Sequence, residues 1–408
     1  MGSLDAAKTI IETLRAAGYV ALLNGGCVRD RLLGIEPKDY DVATDAPPED
    51  VRRLFRRTRA VGAQFGVVLV RIKRTDVEVA TFRSDAEYHD GRRPSAVEFT
   101  TPERDAQRRD FTINGMFLDP LTDEVIDYVG GRRDLEARLI RCIGEPRERF
   151  AEDHLRLLRA VRFAARLGFE IEPATFAAMR ECAPRLRQIA PERVRMELEM
   201  ILGAPSRSRG WRLLVDSELT AHLLADHRWT SEERIRIEKV LAALPESAPF
   251  CVGFAAVFSC WSSDDARRAC AALRCSNADT DAIAQLVSAA PRLLEGDALE
   301  LADLKELLAT GLFNGMTALA RAEATADQIA PQQLENAMQR AAAIPAEAVA
   351  PPPLLTGDDL LAMNQQPSPL FGRVLKEVYR AQLNETVRSR EEAIRLASER
   401  IEAERRGI

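Results

Sequence analysis

The chain has 408 residues, 46% of them hydrophobic and 29% charged, with a net charge of −6 at neutral pH. That length and apolar content support roughly two to four packed domains and exclude a disordered chain, while the negative balance argues against a globally basic nucleic-acid binder. Seven cysteines without a Cys-x-x-Cys pair, and only four histidines (His89, His154, His222 and His227), argue for reduced thiols and against a zinc site or a His-Asp phosphohydrolase centre.

The N-terminal "MGSLDAAKTIIETLRAAGY" reads as an amphipathic helix that lacks a signal peptide's apolar centre and cleavage site. The longest apolar run, "APFCVGFAAVFSCW", is too short to cross a bilayer, so a cytoplasmic location and no membrane partner are expected. Residues 20 to about 128 alternate strand-like runs ("YVALLNGG", "DYDVAT", "GVVLVRI", "DVEVATF", "EVIDYV") with helical ones ("CVRDRLLG", "PPEDVRRLFRR"), the pattern of a small α/β unit. In "LLNGGCVRDRLLG" a strand runs into Gly25 and Gly26 and then a helix, which presents bare amides to an anion, with Arg29 one turn on. Asp39 and Asp41 stand two apart in the strand-like "DYDVAT" and so share a face. Two carboxylates that close repel unless a cation sits between them, and oxygen-only ligation suits magnesium; an isolated Asp-x-Asp also reads as a solvated turn. Glu78 in "DVEVATFR" is a candidate third carboxylate or an exposed strand residue.

From about residue 134 the periodicity is helical almost throughout. Residues 141–195 hold twelve arginines, no lysine and eight acidic residues, a local positive stripe fit to neutralise phosphates. In "EDHLR", Asp153 and Arg156 stand three apart on the expected face of one helix, the spacing of an ion pair. A proline-rich hinge, "AIPAEAVAPPPLL" at 343–355, precedes a last helical segment in which Thr356 and Ser389 are expected N-caps. No internal repeat is found.

The ordered set "GGCVRDRLLG…PKDYDVAT…VEVATFR", "RRDFTINGMFLDP", "DYVGGRRDLEARLIRCIG", "RFAEDHLRLLRAVRFAARLGF" and "PERVRMELEMIL" resembles the class II tRNA nucleotidyltransferase family of the polymerase-β superfamily, which holds CCA-adding enzymes and bacterial poly(A) polymerases. The likeness is dense over residues 20–215, and "LLTGDDLL…PLFGRVLKEVYRAQL" is similar to the family's C-terminal segment, although "MNQQPSPLFG" stands where relatives usually carry glycines. The resemblance implies an α+β fold: a polymerase-β-like nucleotidyltransferase head at 1–133, then an all-α neck at 134–215, a body at 216–342 and a tail at 343–408 with tRNA contacts. It implies catalysis by Asp39, Asp41 and Glu78, with Asp39 and Asp41 holding two Mg2+ ions for in-line displacement. It assigns triphosphate and ribose binding to Gly25, Gly26, Arg29, Arg109, Asp110 and Asn114.

On the Watson–Crick edge, C and A each show an amino donor beside a ring-nitrogen acceptor, so a carboxylate at Asp153 and a guanidinium at Arg156 would take both and reject U and G. Arg159 and Arg162 continue this run towards nucleotide or RNA phosphates. "SDAEYHDGRRPSAVEFT" at 84–100 resembles the loop that lets the pocket switch from C to A, and the balanced C-terminus lacks the basic tail of poly(A) polymerases. The expected partners are the tRNA 3′ end, CTP and ATP, with the chain acting as a monomer. An A-only enzyme, a poly(A) polymerase and an inactive RNA-binding or nucleotide-sensing homologue stand as alternatives.

Overall fold

A computed structural model describes residues 2–60, 66–85, 97–224, 228–363 and 368–405. The chain forms two compact units, Met1–Ile201 with Arg209–Arg228 and Leu202–Ser208 with Trp229–Ile408, so the backbone of each is discontinuous. Two units are a coarser division than the four segments expected from the sequence.

The first unit begins with α1 (Ser3–Ala16), β1 (Ala21–Asn24), α2 (Gly26–Leu32), β2 (Val42–Thr44), α3 (Pro48–Leu54), β3 (Thr58–Ala60), β4 (Val67–Ile72) and β5 (Thr75–Thr81). It continues with β6 (Arg83–Asp85), β7 (Val97–Phe99), α4 (Pro102–Gln107), β8 (Phe117–Asp119) and β9 (Glu124–Ile126). One mixed sheet runs in the order β3-β4-β5-β2-β1-β8-β9. Strand β1 pairs antiparallel with β2 and with β8, and the central β2 lies parallel to β5 with Val42 opposite Val79. Helix α1 buries Ala6, Ala7, Ile10, Ile11 and Leu14, spaced three and four apart on one stripe, and packs against β1, β2 and β5. Proline at the first turn of α3 and α4 costs no hydrogen bond there, which marks where both helices begin. The strand at "DYDVAT" starts only at Val42, although the Asp41 carbonyl already accepts the Asn24 amide at 3.1 Å.

The same unit goes on through α5 (Gly131–Glu136), β10 (Leu139–Ile140), α6 (Pro146–Glu152), α7 (Arg156–Leu167), β11 (Glu170–Ile171), α8 (Pro173–Cys182), α9 (Pro191–Leu202), α10 (Arg207–Asp216) and α11 (Thr220–Leu223). The expectation of helix alone beyond residue 134 is corrected by the parallel pair β10–β11, two residues a side. Helix α7 stops at Gly168, whose φ of +68° is open to glycine and strained for other residues, and the turn sends Glu170 back beside Leu139. On α7 the apolar Leu157, Leu158, Ala160, Val161, Ala164 and Ala165 are buried, which leaves Arg159, Arg162, Phe163 and Arg166 together on another face.

The second unit is helical: α12 (Ser231–Ala243), α13 (Phe250–Val257), α14 (Ser263–Ala272), α15 (Asn277–Ala289), α16 (Leu301–Ala309), α17 (Phe313–Ala326), α18 (Gln332–Ala342), α19 (Ala346–Val349), α20 (Gly357–Ala362), α21 (Pro369–Leu383) and α22 (Arg390–Arg405). Thr356 closes a capping box with Asp359, and the Ser389 hydroxyl accepts the Glu392 amide at 3.3 Å, as expected of N-caps. The proline-rich stretch is strapped down rather than loose: Tyr379 donates to the Pro351 carbonyl at 3.0 Å, and Gln382 bonds both Pro352 and Leu354. Among the described residues no helix is long and apolar enough to cross a membrane.

Candidate active site

The carboxylates come first. Tyr40 is buried, while Asp39 and Asp41 on either side of it both line a cavity of about 640 Å³ in the first unit. The parallel register of β2 on β5 sets Asp41 alongside Glu78, one residue before the Val42–Val79 pair. Burial, then the charges of Glu78 and Asp39, push the Asp41 carboxyl up to about 6 against the opposing Arg109 charge. Crowded carboxylates with hard oxygen donors and a raised proton affinity fit a divalent cation, which would relieve the repulsion. Among the described residues no three His, Cys, Asp or Glu side chains gather as a complete metal cage. A cation here would rest on Asp39 and Asp41, with water or substrate oxygens completing its shell, and Glu78 acts on the charge of Asp41.

Ten cationic side chains and five carboxylates line the cavity. Gly25 leads into α2 at φ +72°, a backbone conformation that favours glycine, and a Cβ there would stand 3.3 Å from the Arg109 guanidinium, a tight contact. Arg29 bonds Asp30 and donates to Asn114 Oδ1 at 2.6 Å, and Asn114 Nδ2 donates to Asp110 Oδ1 at 3.1 Å. Arg159 grips the other Asp110 oxygen through Nε at 2.9 Å and Nη2 at 2.6 Å. Burial favours a protonated Asp110, but the Arg159 charge and bonds, the Asn114 bond and the Arg156 charge outweigh it and hold this carboxyl at about 2. Arg29, Arg159 and Arg162 all stand over the Phe163 ring, at 5.2, 5.3 and 4.3 Å from its centroid. Arg162 is also held by Glu197 at 2.7 Å.

"EDHLR" is not one continuous helix. Asp153 closes α6 in an extended conformation and Arg156 opens α7, so the two do not share a helical face, although both line the cavity. Asp153 accepts the Leu155 amide at 3.1 Å and pairs with Arg193, also at 3.1 Å. Arg156 donates to Glu152 at 2.6 Å and to the Arg149 and Arg108 carbonyls at 2.9 and 3.0 Å. His154 between them is buried on the Phe150 carbonyl and Gln188.

Three family models match in chain order: the poly A polymerase head domain over residues 21–141, the RNA and SrmB- binding site of polymerase A over 168–229, and tRNA nucleotidyltransferase domain 2 over 252–397. The crystal structure of the Bacillus stearothermophilus CCA-adding enzyme in complex with CTP matches over 100% of this chain and 100% of its own, with 30% identity and a TM-score of 0.79. The chain belongs to the class II tRNA nucleotidyltransferase family. Among curated class II relatives, the CCA-adding enzyme of Streptococcus suis (strain 05ZYH33) is 41% identical over 263 residues, 64% of this chain, and that of Geobacillus stearothermophilus is 42% identical over 258 residues, 59% of this chain. Each of these two matches spans 64% of the relative's own length.

In this class II chain the cavity gathers Gly25, Gly26, Arg29, Asp39, Asp41, Arg109, Asp110, Asn114, Asp153, Arg156, Arg159 and Arg162; Glu78, the other expected catalytic carboxylate, is not among its lining residues and stands beside Asp41 on the neighbouring strand. The loop at 86–96, the 364–367 part of "MNQQPSPLFG", His89 and His227 lie outside the described residues. Sequence reasoning missed Asp105, Phe163, Arg193 and Asn24. The buried Asp105 takes Arg108 on Oδ1 at 2.7 Å and Arg109 on Oδ2 at 2.8 Å, while Asn24 accepts from Arg109 at 2.9 Å. The spacing of Asp105 from Arg108 and Arg109, three and four residues, was the available signal.

Proposed function

We propose that this class II family member adds C, C and A to the 3′ end of tRNA, using CTP and ATP and no nucleic-acid template. The observation that carries this reading is the convergence of the Asp39–Asp41 pair, a cationic lining, Asp153 and Arg156 on one cavity. Arg29, held by Asp30 and Asn114, and Arg109, held by Asp105, place fixed positive charge on the cavity wall, which suits a triphosphate. Both Asp110 oxygens already accept bonds, so a ribose hydroxyl that reaches this carboxylate shares it with Arg159 and Asn114.

Asp39 and Asp41 are the residues that would hold Mg2+, whose contribution when bound is to neutralise the triphosphate and acidify the primer hydroxyl. Selection falls to Asp153, accepting the exocyclic amino group of C or A, and Arg156, donating to the ring nitrogen. Arg193 holds the Asp153 carboxylate, and Glu152 with two carbonyls holds Arg156, so neither group is loose before a base arrives.

The test is incorporation of labelled CTP and ATP into tRNA lacking its last three, two or one residues. CTP entering the first two positions and ATP the last supports CCA addition. ATP entering only the last position makes the protein an A-only enzyme, and ATP tailing of unrelated RNA makes it a poly(A) polymerase. RNA binding without incorporation overturns the enzymatic reading.

A further inference from the structure

Helix α14 ends in a way that brings two thiols together. Leu273 caps the helix, Arg274 takes a left-handed conformation with φ +52°, the Cys275 amide bonds the Cys270 carbonyl at 2.9 Å, and the Arg274 amide bonds the Ala271 carbonyl at 3.1 Å. This pair of bonds is the Schellman motif, which as a rule presses the side chains of its first and last residues against each other in an apolar contact. Here those residues are Cys270 and Cys275, and the neighbouring Cys275 sulfur, with burial, pushes the Cys270 thiol up. The bond between their main chains limits the separation of the two Cα atoms to the range a disulfide spans. The motif usually places glycine where Arg274 stands, so the chain keeps this turn at some backbone cost. None of the seven cysteines is in a disulfide; Cys270 is buried and Cys275 is partly exposed.

We propose that Cys270 and Cys275 form a peroxide-oxidisable dithiol, a modification site in the second unit that is independent of nucleotidyl transfer. Cys275, the one open to solvent, reacts first: its thiolate attacks a peroxide oxygen of hydrogen peroxide, the O–O bond breaks, and sulfenic acid forms with loss of hydroxide, which is protonated to water. The Cys270 sulfur then attacks the Cys275 sulfur, gives up its proton and expels a second water. Two thiols are oxidised by two electrons and one peroxide is reduced to two waters. The neighbouring Cys275 sulfur, then burial, push the Cys270 thiol up, so Cys270 is not the thiol that meets peroxide first, and it loses its proton only as it attacks the sulfenic acid. A dithiol reductant reverses the bond, as befits a site in a chain of otherwise unpaired thiols.

The full-length protein is treated with hydrogen peroxide, its remaining thiols are alkylated, and it is digested with trypsin, which cuts after Arg274 and separates the two cysteines onto different peptides. The expected product is Ala269–Arg274 joined to Cys275–Arg292, lost on reduction, while Cys27, Cys142 and Cys182 stay alkylatable after unfolding. In Cys270→Ser the linked peptide is absent and a 1,3-dione traps sulfenic acid at Cys275. In Cys275→Ser, which serves if the buried substitution fails to fold, Cys270 stays reduced at the same peroxide dose. The proposal is overturned if the wild-type protein yields no linked peptide, if Cys275 pairs with another cysteine, or if Cys270 is oxidised in Cys275→Ser.

Discussion

Asp105 supports two arginines on one carboxylate, and its own neighbourhood explains why that arrangement holds. The charges of Arg109 and Arg108 and their bonds outweigh burial and keep this carboxyl below the usual range, and it also accepts the Arg83 amide at 3.2 Å. Asp105→Asn should leave both guanidinium groups with weaker anchors and raise KM for CTP and ATP about tenfold, with a smaller change in kcat, because the charge-assisted bonds that orient Arg109 are lost. Steady-state kinetics for each nucleotide decide it; an unchanged KM means the arginines need no such support. Asp39→Ala or Asp41→Ala should instead abolish incorporation, by roughly a thousandfold or more, with tRNA affinity and melting temperature little changed. Retained turnover in magnesium would show that the pair holds no catalytic cation. The carboxylate pair was legible because Asp-x-Asp before a β-branched run states its geometry in two residues. Asp105 was not, since in "PERDAQRRD" an acid among bases on a helix reads as solvated, and its burial follows from contacts with Arg83, far along the chain.

The break between α6 and α7 alters what Arg156 is for. A plain surface ion pair with Asp153 would cost at most about 1 kcal/mol when removed. Arg156 is buried with bonds to Glu152 and two carbonyls, so Arg156→Ala should lower stability by about 2–3 kcal/mol as well as relax discrimination against UTP and GTP, whereas Asp153→Ala should mainly relax discrimination. Thermal melts beside kcat/KM for four ribonucleotides separate the two effects; an unchanged preference for C and A in both variants places base selection elsewhere. The periodicity of "FAEDHLRLLRAVRF" is helical on both sides of the break, which is why the sequence read it as continuous; the interruption comes from Asp153 turning to cap Leu155.

Helix α17 offers a second, separate test. Burial, with the Asp327 charge adding and the Arg236 charge opposing, pushes Glu323 up to about 7 from an ordinary 4.5. A raised carboxyl binds its proton more tightly in the folded chain, so its contribution to stability is full below the unfolded value and is lost as pH rises through the folded one. Glu323→Gln should therefore gain on the wild type by about 3 kcal/mol between roughly pH 5 and pH 8, read as a growing difference in melting temperature. A constant difference across that range would mean that Glu323 is ionised throughout.

At the scale of the molecule, the sheet and its flanking helices follow closely from where the apolar runs and prolines fall, but the division into two units does not. No composition shift marks the point at which Leu202–Ser208 leaves the first unit and Arg209–Arg228 returns to it. The returning segment matters to the first unit: Trp211, Leu214 and Leu219 are buried, Arg209 bonds the Phe169 carbonyl at 2.8 Å, and Arg180 pairs with Glu218. A fragment ending at Ile201 should be less stable than one ending at Arg228 by on the order of 5 kcal/mol, from those three apolar side chains alone. Limited proteolysis and melting of the two fragments measure it, and equal resistance would make 209–228 dispensable. The doubled-back chain also sets an order of events during synthesis. The nucleotide cavity's own residues have all left the ribosome by Arg193, yet the unit that frames them stays unfinished until Arg228 has followed. By then Leu202–Ser208 has already emerged as the first piece of a second unit whose remaining residues have yet to be translated.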